Sequence, residues 1–214
     1  MTTVSIPDDT QRRDLAVFIE RALRLDEAAV VRLRTRADGL VGAWVVTGFD
    51  VLAARVVAGT LQPSDFTCAA DQLCRGLESR PESGLFDPGY PMDSAWRTLL
   101  PPETGFVHVD DVPAAAVAEL ARRGAELARE HSGPAGPPAA LLDQEVLRVS
   151  SEVGEVGVPV RCLLALSAMG FAPVQASGSG TEVVRVRIMP NWLRIDARFG
   201  SVFRRRGDRA LLIG

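Results

Sequence analysis

The sequence predicts an α+β protein: in two separate stretches apolar residues alternate with arginine, tight turns follow each stretch, and helix-period segments lie before them. The expected architecture is two helix-plus-antiparallel-meander units. Residues 1–80 read as αβββα and residues 106–214 as helices followed by βββ, joined across 81–105 by a connector rich in aromatics, proline and glycine. A chain of 214 residues, 47% of them apolar, has ample material for a packed core.

In residues 10–24, Leu15, Phe18, Ile19, Ala22 and Leu23 recur at helical spacing, with Asp8, Asp9 and Asp14 near the start and Arg21 and Arg24 near the end, as the helix dipole favours. Val31, Leu33 and Thr35 then alternate with Arg32, Arg34 and Arg36, which predicts an edge strand. Gly39 closes a turn into the almost wholly apolar residues 40–46, a central strand, and residues 51–57 read as the third, with helix over Val51-Leu52-Ala53-Ala54-Arg55 as the alternative. Ser64 is the expected N-cap of a helix reaching residue 79, with Phe66, Ala69, Leu73 and Leu77 on one face.

Past the connector, a short strand over 106–109 leads to Asp111 as the N-cap of a helix ending near His131. Ala121, Gly124, Ala125 and Ala128 form a small-residue seam on that helix, so another element is expected to approach it closely. Residues 139–150 are read as helix. Pro159 opens a further helix, apolar all round and therefore buried, which Gly170 stops. Strands over 183–188, 192–198 and 201–206 complete a second meander. Val-Val-Arg-Leu-Arg from Val30 and Val-Val-Arg-Val-Arg from Val183 open the two meanders, and Trp44 and Trp192 stand in their middle strands.

All 24 basic residues are arginine. A Schiff-base lysine and a G-x-x-x-x-G-K-[ST] phosphate loop are therefore excluded. Net charge is −3, but from Glu182 to Arg209 eight arginines stand against three acids. Cys68, Cys74 and Cys162 are odd in number and sit in apolar surroundings, which fits a reducing cytoplasm. No apolar run is long enough to span a bilayer, and no basic-then-apolar leader begins the sequence, so no membrane association is expected.

Period-two alternation places Arg185 and Arg187 on one strand face, Arg194 and Arg198 on the matching face of the next strand beside Trp192, and Arg204 and Arg206 in continuation. Such a face suits an acidic protein surface or nucleic acid, because each guanidinium presents a bidentate fork and an indole stacks on a base. The competing reading is a solvated face whose arginines pair within the protein. A second group, Asp87, Tyr90, Asp93, Trp96 and Arg97, lies in the connector, either as a pocket or as aromatics pinning the chain. His108 with Asp110 is the one arrangement offering acid–base chemistry. No serine lies in G-x-S-x-G, and no Cys/His spacing fits a metal, so neither cofactor nor metal is expected. Gly178-Ser179-Gly180 precedes a strand rather than a helix and reads as a loop, not a phosphate cradle. A helix-turn-helix reader is disfavoured too, since residues 159–169 offer only Arg161.

Residues 158–171 (VPVRCLLALSAMGF) and 191–200 (NWLRIDARFG) resemble an uncharacterised actinobacterial protein family with no assigned function. The resemblance covers mainly the C-terminal half and implies lineage rather than activity. The functional expectation is a non-catalytic binding or regulatory protein that shows an arginine-lined sheet face to an acidic partner. The alternatives are an enzyme using His108 and Asp110, and an obligate homodimer pairing through exposed strand edges.

Overall fold

A computed structural model describes residues 2–79, 84–133, 136–172 and 182–207. Gly178-Ser179-Gly180 and the basic residue Arg209 lie outside these. The chain divides into two units: Met1–Gly48 with Leu52–Glu103, and Phe49–Val51 with Thr104–Gly214. Residues 84–103, read from sequence as a connector, thus lie in the first unit.

The first unit runs β1 (Thr3–Ser5), α1 (Asp9–Leu25), β2 (Val30–Thr35), β3 (Val41–Val46), β4 (Leu52–Val57), β5 (Thr60–Gln62), β6 (Asp65–Ala69), α2 (Ala70–Glu78) and β7 (Leu85–Phe86). The Asp8 carboxylate accepts from Gln11 N at 2.8 Å and starts α1, whose buried stripe of Leu15, Phe18, Ile19 and Ala22 follows the predicted spacing. Strands β6-β2-β3-β4 form an antiparallel sheet, and β5-β1-β7 a small second one. Helices α1 and α2 pack on each other.

Two expectations are corrected here. Residues 65–69 are strand, not helix, and Ser64 caps nothing: Phe66, Thr67 and Cys68 pair with Leu33, Arg32 and Val31. Aromatic and β-branched side chains suit that pleated position, and helix begins only at Ala70. In consequence β2 is no edge strand, since β6 and β3 flank it.

The second unit runs β8 (Val107–Pro113), α3 (Ala114–Glu130), α4 (Ala139–Leu142), β9 (Glu145–Ser151), β10 (Gly154–Pro159), α5 (Val160–Ala168), β11 (Val183–Met189), β12 (Trp192–Ala197) and β13 (Gly200–Arg205). Asp111 lies inside β8 and Pro113 takes the N-cap position of α3, because pairing with β11 holds the backbone extended through Pro113. Residues 145–151 are also strand, where helix was expected. They form a hairpin with β10 through the two-residue turn Glu152-Val153, so cross-strand pairing overrides the weak helical spacing. The α3 seam receives α5: a Cβ at Gly124 would stand 3.0 Å from Val160 Cγ1. Buried from Val160 to Leu166, α5 is stopped at Gly170, whose φ of 61° only glycine adopts cheaply.

Each unit contains the same device. A helix leads to a three-stranded meander (α1 to β2-β3-β4, α5 to β11-β12-β13), and a strand feeding a second helix (β6 into α2, β8 into α3) pairs with the meander's first strand. The two Val-Val-Arg openings are in phase: Val31 and Leu33 in one, Val184 and Val186 in the other, are buried. No helix among the described residues is long and apolar enough to cross a membrane.

All three thiols are buried and free. Burial pushes Cys68 and Cys162 up to about 12 and Cys74 up to about 11, from an ordinary 9.0. A folded-state value above the unfolded one favours the fold while the thiol keeps its proton. That stability is full below the ordinary value and is lost as pH rises through the folded values. Native protein at neutral pH is therefore expected to resist iodoacetamide until denatured, and its urea midpoint to fall above about pH 9. Rapid labelling of the native chain, read by mass spectrometry, would contradict this.

Candidate partner-binding face

Register decides which arginines share a surface. Arg185 lies opposite Asp196 and Arg187 opposite Arg194 on β11 and β12; across to β13, Arg194 faces Phe203 and Trp192 faces Arg205. Val184, Val186, Leu193, Ile195 and Val202 turn to the core, which leaves Arg185, Arg187, Trp192 and Arg194 together on the outward face. Three members of the expected stripe thus assemble.

The others do not. Arg204 is the register partner of the buried Leu193 and so takes the opposite face, where its Nη2 meets Asp143 at 2.5 Å. The outward position opposite Trp192 belongs to Arg205. Arg198 lies in the turn after β12, its guanidinium 5.3 Å from the Phe199 ring. Arg206 has left the strand, with Nη1 on Met189 O at 3.2 Å.

Asp196 is the hub of this face, and sequence reasoning missed it. Arg194 Nε donates to Asp196 Oδ1 at 2.7 Å, Arg187 Nε stands 3.4 Å from Oδ2, and Ser201 Oγ donates to Oδ1. Arg194 also lies beside two rings, 5.5 Å from Phe106 and 5.4 Å from Phe203, which meet edge to face. Among the described residues the buried Arg187 Nε has no hydrogen-bond partner. The signal available in the sequence was Asp196 itself, two residues after Arg194 and so on the same strand face.

His108 is the register partner of Arg187. Its Nε2 lies 2.9 Å from Asp111 Oδ1, not from Asp110, whose carboxylate accepts from Asp111 N. Arg185 Nε approaches the same Asp111 oxygen at 3.8 Å. A bulge between Val186 and Arg187 shifts the phase, so it is Asp111 rather than Asp110 that shares the outward face with His108.

Residues 101–209 match the family model described as "Domain of unknown function (DUF8185)". The chain belongs to this family. Residues 1–98 match a second model, "Domain of unknown function (DUF8010)". The whole outward face described above, from Phe106 to Phe203, falls within the DUF8185 segment.

No curated protein matches the chain in sequence. In fold it is similar to solved DNA polymerase sliding clamps. That from Bacillus subtilis matches with TM-score 0.58 at 12% identity over 97% of this chain and 65% of its own. That from Caulobacter crescentus matches with 0.57 at 13% over 100% and 67%, and the DNA polymerase beta subunit of Streptococcus pyogenes with 0.56 at 10% over 97% and 65%. The chain spans about two thirds of the length of these proteins. Identities this low carry the fold alone.

The connector residues, all within the DUF8010 segment, separate into two places. Asp93 and Trp96 sit at β6 and β2: Asp93 Oδ1 accepts from Thr67 N at 2.7 Å, Met92 N donates to Thr67 O at 2.7 Å, and the Arg32 guanidinium lies 6.0 Å from the Trp96 ring. Asp65 holds Arg32 with two bonds of 2.8 Å, and these bonds raise the arginine's pKa. Asp87 and Tyr90 instead line an open groove of about 750 Å³ beside α2, with Tyr90 80% exposed. Arg97 is exposed.

Asp93 and Met92 thus occupy the outward N–H and C=O of Thr67 at the middle of β6, which blocks pairing with another chain there. Replacing Asp93 by alanine leaves the Thr67 N–H without its acceptor, at a cost of about 1–2 kcal/mol. The expected result is a lower melting temperature and a mass in light scattering that rises with concentration. An unchanged monodisperse mass would show that Met92 alone protects the edge.

Proposed function

We propose that this chain is a non-catalytic binding protein on a sliding-clamp-like scaffold, and that the outward face of β11 and β12 receives an acidic segment of a partner protein. The observation that carries the reading is the pair Arg187 and Arg194 converging on one carboxylate. Two guanidiniums offer ten N–H donors and Asp196 about four acceptor sites, so the forks keep donors for a further anion. Arg185, its side chain 56% exposed, adds a third cation beside them. Trp192 and the rings of Phe106 and Phe203 supply apolar contact at the rim. Asp111 and Asp196 temper the positive charge, which favours a peptide with spaced carboxylates over a continuous polyphosphate.

Duplex DNA is the second reading, favoured by the likeness to sliding clamps. Fluorescence anisotropy with an Asp/Glu-rich peptide and with a duplex, each titrated with salt, separates the two. The peptide is expected to bind, weaken with salt and be lost from the variant carrying Arg185→Gln, Arg187→Gln and Arg194→Gln. Duplex binding with a log-log salt slope of about −0.9 per phosphate, lost in the same variant, would replace the peptide reading with the DNA one. Absence of both at low salt would overturn both.

A further inference from the structure

A cavity of about 220 Å³ opens where β13 leaves its sheet, walled by Pro159 and Pro190 and lined by Arg204, Arg205, Arg206 and Glu145. It is separate from the Asp196 cluster, and nothing in the proposed function uses it. Three consecutive arginines border this one concavity, and among the described residues only Arg204 has a carboxylate partner. Arg204 is compensated by Asp143. Among the described residues Arg206 is held by carbonyls, its Nη1 on Met189 O and its backbone N–H on Asn191 O at 2.9 Å. A carbonyl orients a guanidinium without neutralising it. Arg205 has no carboxylate within ion-pairing distance among the described residues.

Glu145 is the one acid in the lining, and its charge is shared with Arg148, whose Nη2 is 3.1 Å from Oε2. Its carboxylate lies flat across Gly157, where a Cβ would stand 2.0 Å from the Glu145 carboxyl carbon. The bare glycine therefore seats Glu145 against β10. Among the side chains that line the cavity, only the arginines are hydrogen-bond donors.

We infer that this cavity binds a small phosphate dianion, either inorganic phosphate or the phosphoryl group of a small phosphomonoester. Arg206 and Arg205 both border the cavity, and neither has a carboxylate partner among the described residues, so they are the cations left to meet such a group. The volume falls below the range of about 300–1,000 Å³ typical for drug-sized ligands, so the recognised part is the phosphoryl group with little attached to it.

The test is isothermal calorimetry of the full chain with inorganic phosphate, a three-carbon phosphomonoester, and acetate as the monoanion control. Phosphate is expected to bind, and the double variant Arg205→Gln/Arg206→Gln to bind at least about tenfold more weakly. Glu145→Gln, which keeps the side-chain shape over Gly157, is expected to tighten binding, and Arg185→Gln to leave it unchanged. A stronger signal from the phosphomonoester assigns the site to an organic phosphate; equal signals assign it to the free ion. Circular dichroism of each variant checks folding, and Glu145→Gln remains decisive should the double variant unfold. The inference fails if wild type does not bind phosphate, if binding survives the double variant, if Glu145→Gln weakens it, or if only the Arg185, Arg187 and Arg194 substitutions remove it. The last outcome would move the phosphate to the outward face and leave the proposed function standing.

Discussion

Replacing Arg161 with leucine is expected to destabilise the second unit by about 3 kcal/mol. Arg161 sits in α5 with its side chain 8% exposed, yet carries three polar partners. Its Nε donates to Asp143 at 2.9 Å, its Nη1 donates to Phe49 O at 2.7 Å, and Asp50 stands 3.8 Å away. Leucine replaces much of the apolar stem, so the loss reports the charge and the hydrogen bonds rather than a cavity. Asp143 would keep Arg204 as its ion-pair partner among the described residues, and the Phe49 carbonyl would lose the Arg161 hydrogen bond beside the apolar cluster of Leu142, Val160 and Leu164. With a urea slope of about 1–3 kcal/mol/M, the midpoint of this unit should fall by roughly 1–3 M. Arg161→Lys keeps the charge without the fork and should fall between. A loss under about 1 kcal/mol would mean that Arg204 takes over the whole role and that Arg161 is dispensable.

Asp196→Asn is expected to do the opposite to function: it should tighten binding of an acidic partner by about fivefold, the equivalent of about 1 kcal/mol for a partly exposed ion pair. The carboxylate now competes intramolecularly for Arg187 and Arg194, and asparagine of the same shape frees both forks. The cost is the charge-assisted bonds from Arg194 and Ser201, so the melting temperature should fall at the same time. This pairing of tighter binding with lower stability separates a working surface from a structural one. If the arginines served only to satisfy Asp196, the variant would lose stability and gain no affinity. Against it, the triple substitution of Arg185, Arg187 and Arg194 should weaken the same peptide by about a hundredfold or more. Equal affinities for wild type, Asp196→Asn and the triple variant would remove the face from consideration.

Much of this site was legible. Alternation alone put Arg185, Arg187 and Arg194 on one face, and the sequence also placed Trp192 beside them. What misled was β13, where Val202 and Phe203 are adjacent, apolar and both buried, so pattern did not say which of them faces the core. An outward Arg204 requires Phe203 to point inward. In the structure Phe203 covers Arg194 and Val202 faces the core, which sends Arg204 to Asp143. A one-residue change of phase reverses every side chain of a strand, and only pairing with β12 sets it. The bulge in the β8–β11 pair moved the histidine's partner from Asp110 to Asp111 by the same logic.

The sequence by itself determined the elements whose signal is local: α1 through its apolar period and aspartate cap, α5 through its apolar residues on every side, and the two meanders through alternation with arginine. Tertiary structure decided β6 and β9, where Phe66-Thr67-Cys68 and Val146-Leu147 carry helical spacing too, because a strand's backbone bonds are made by a neighbour distant in sequence. It also decided which carboxylate meets which arginine, since cross-strand register is a property of the pair and is written in neither strand alone.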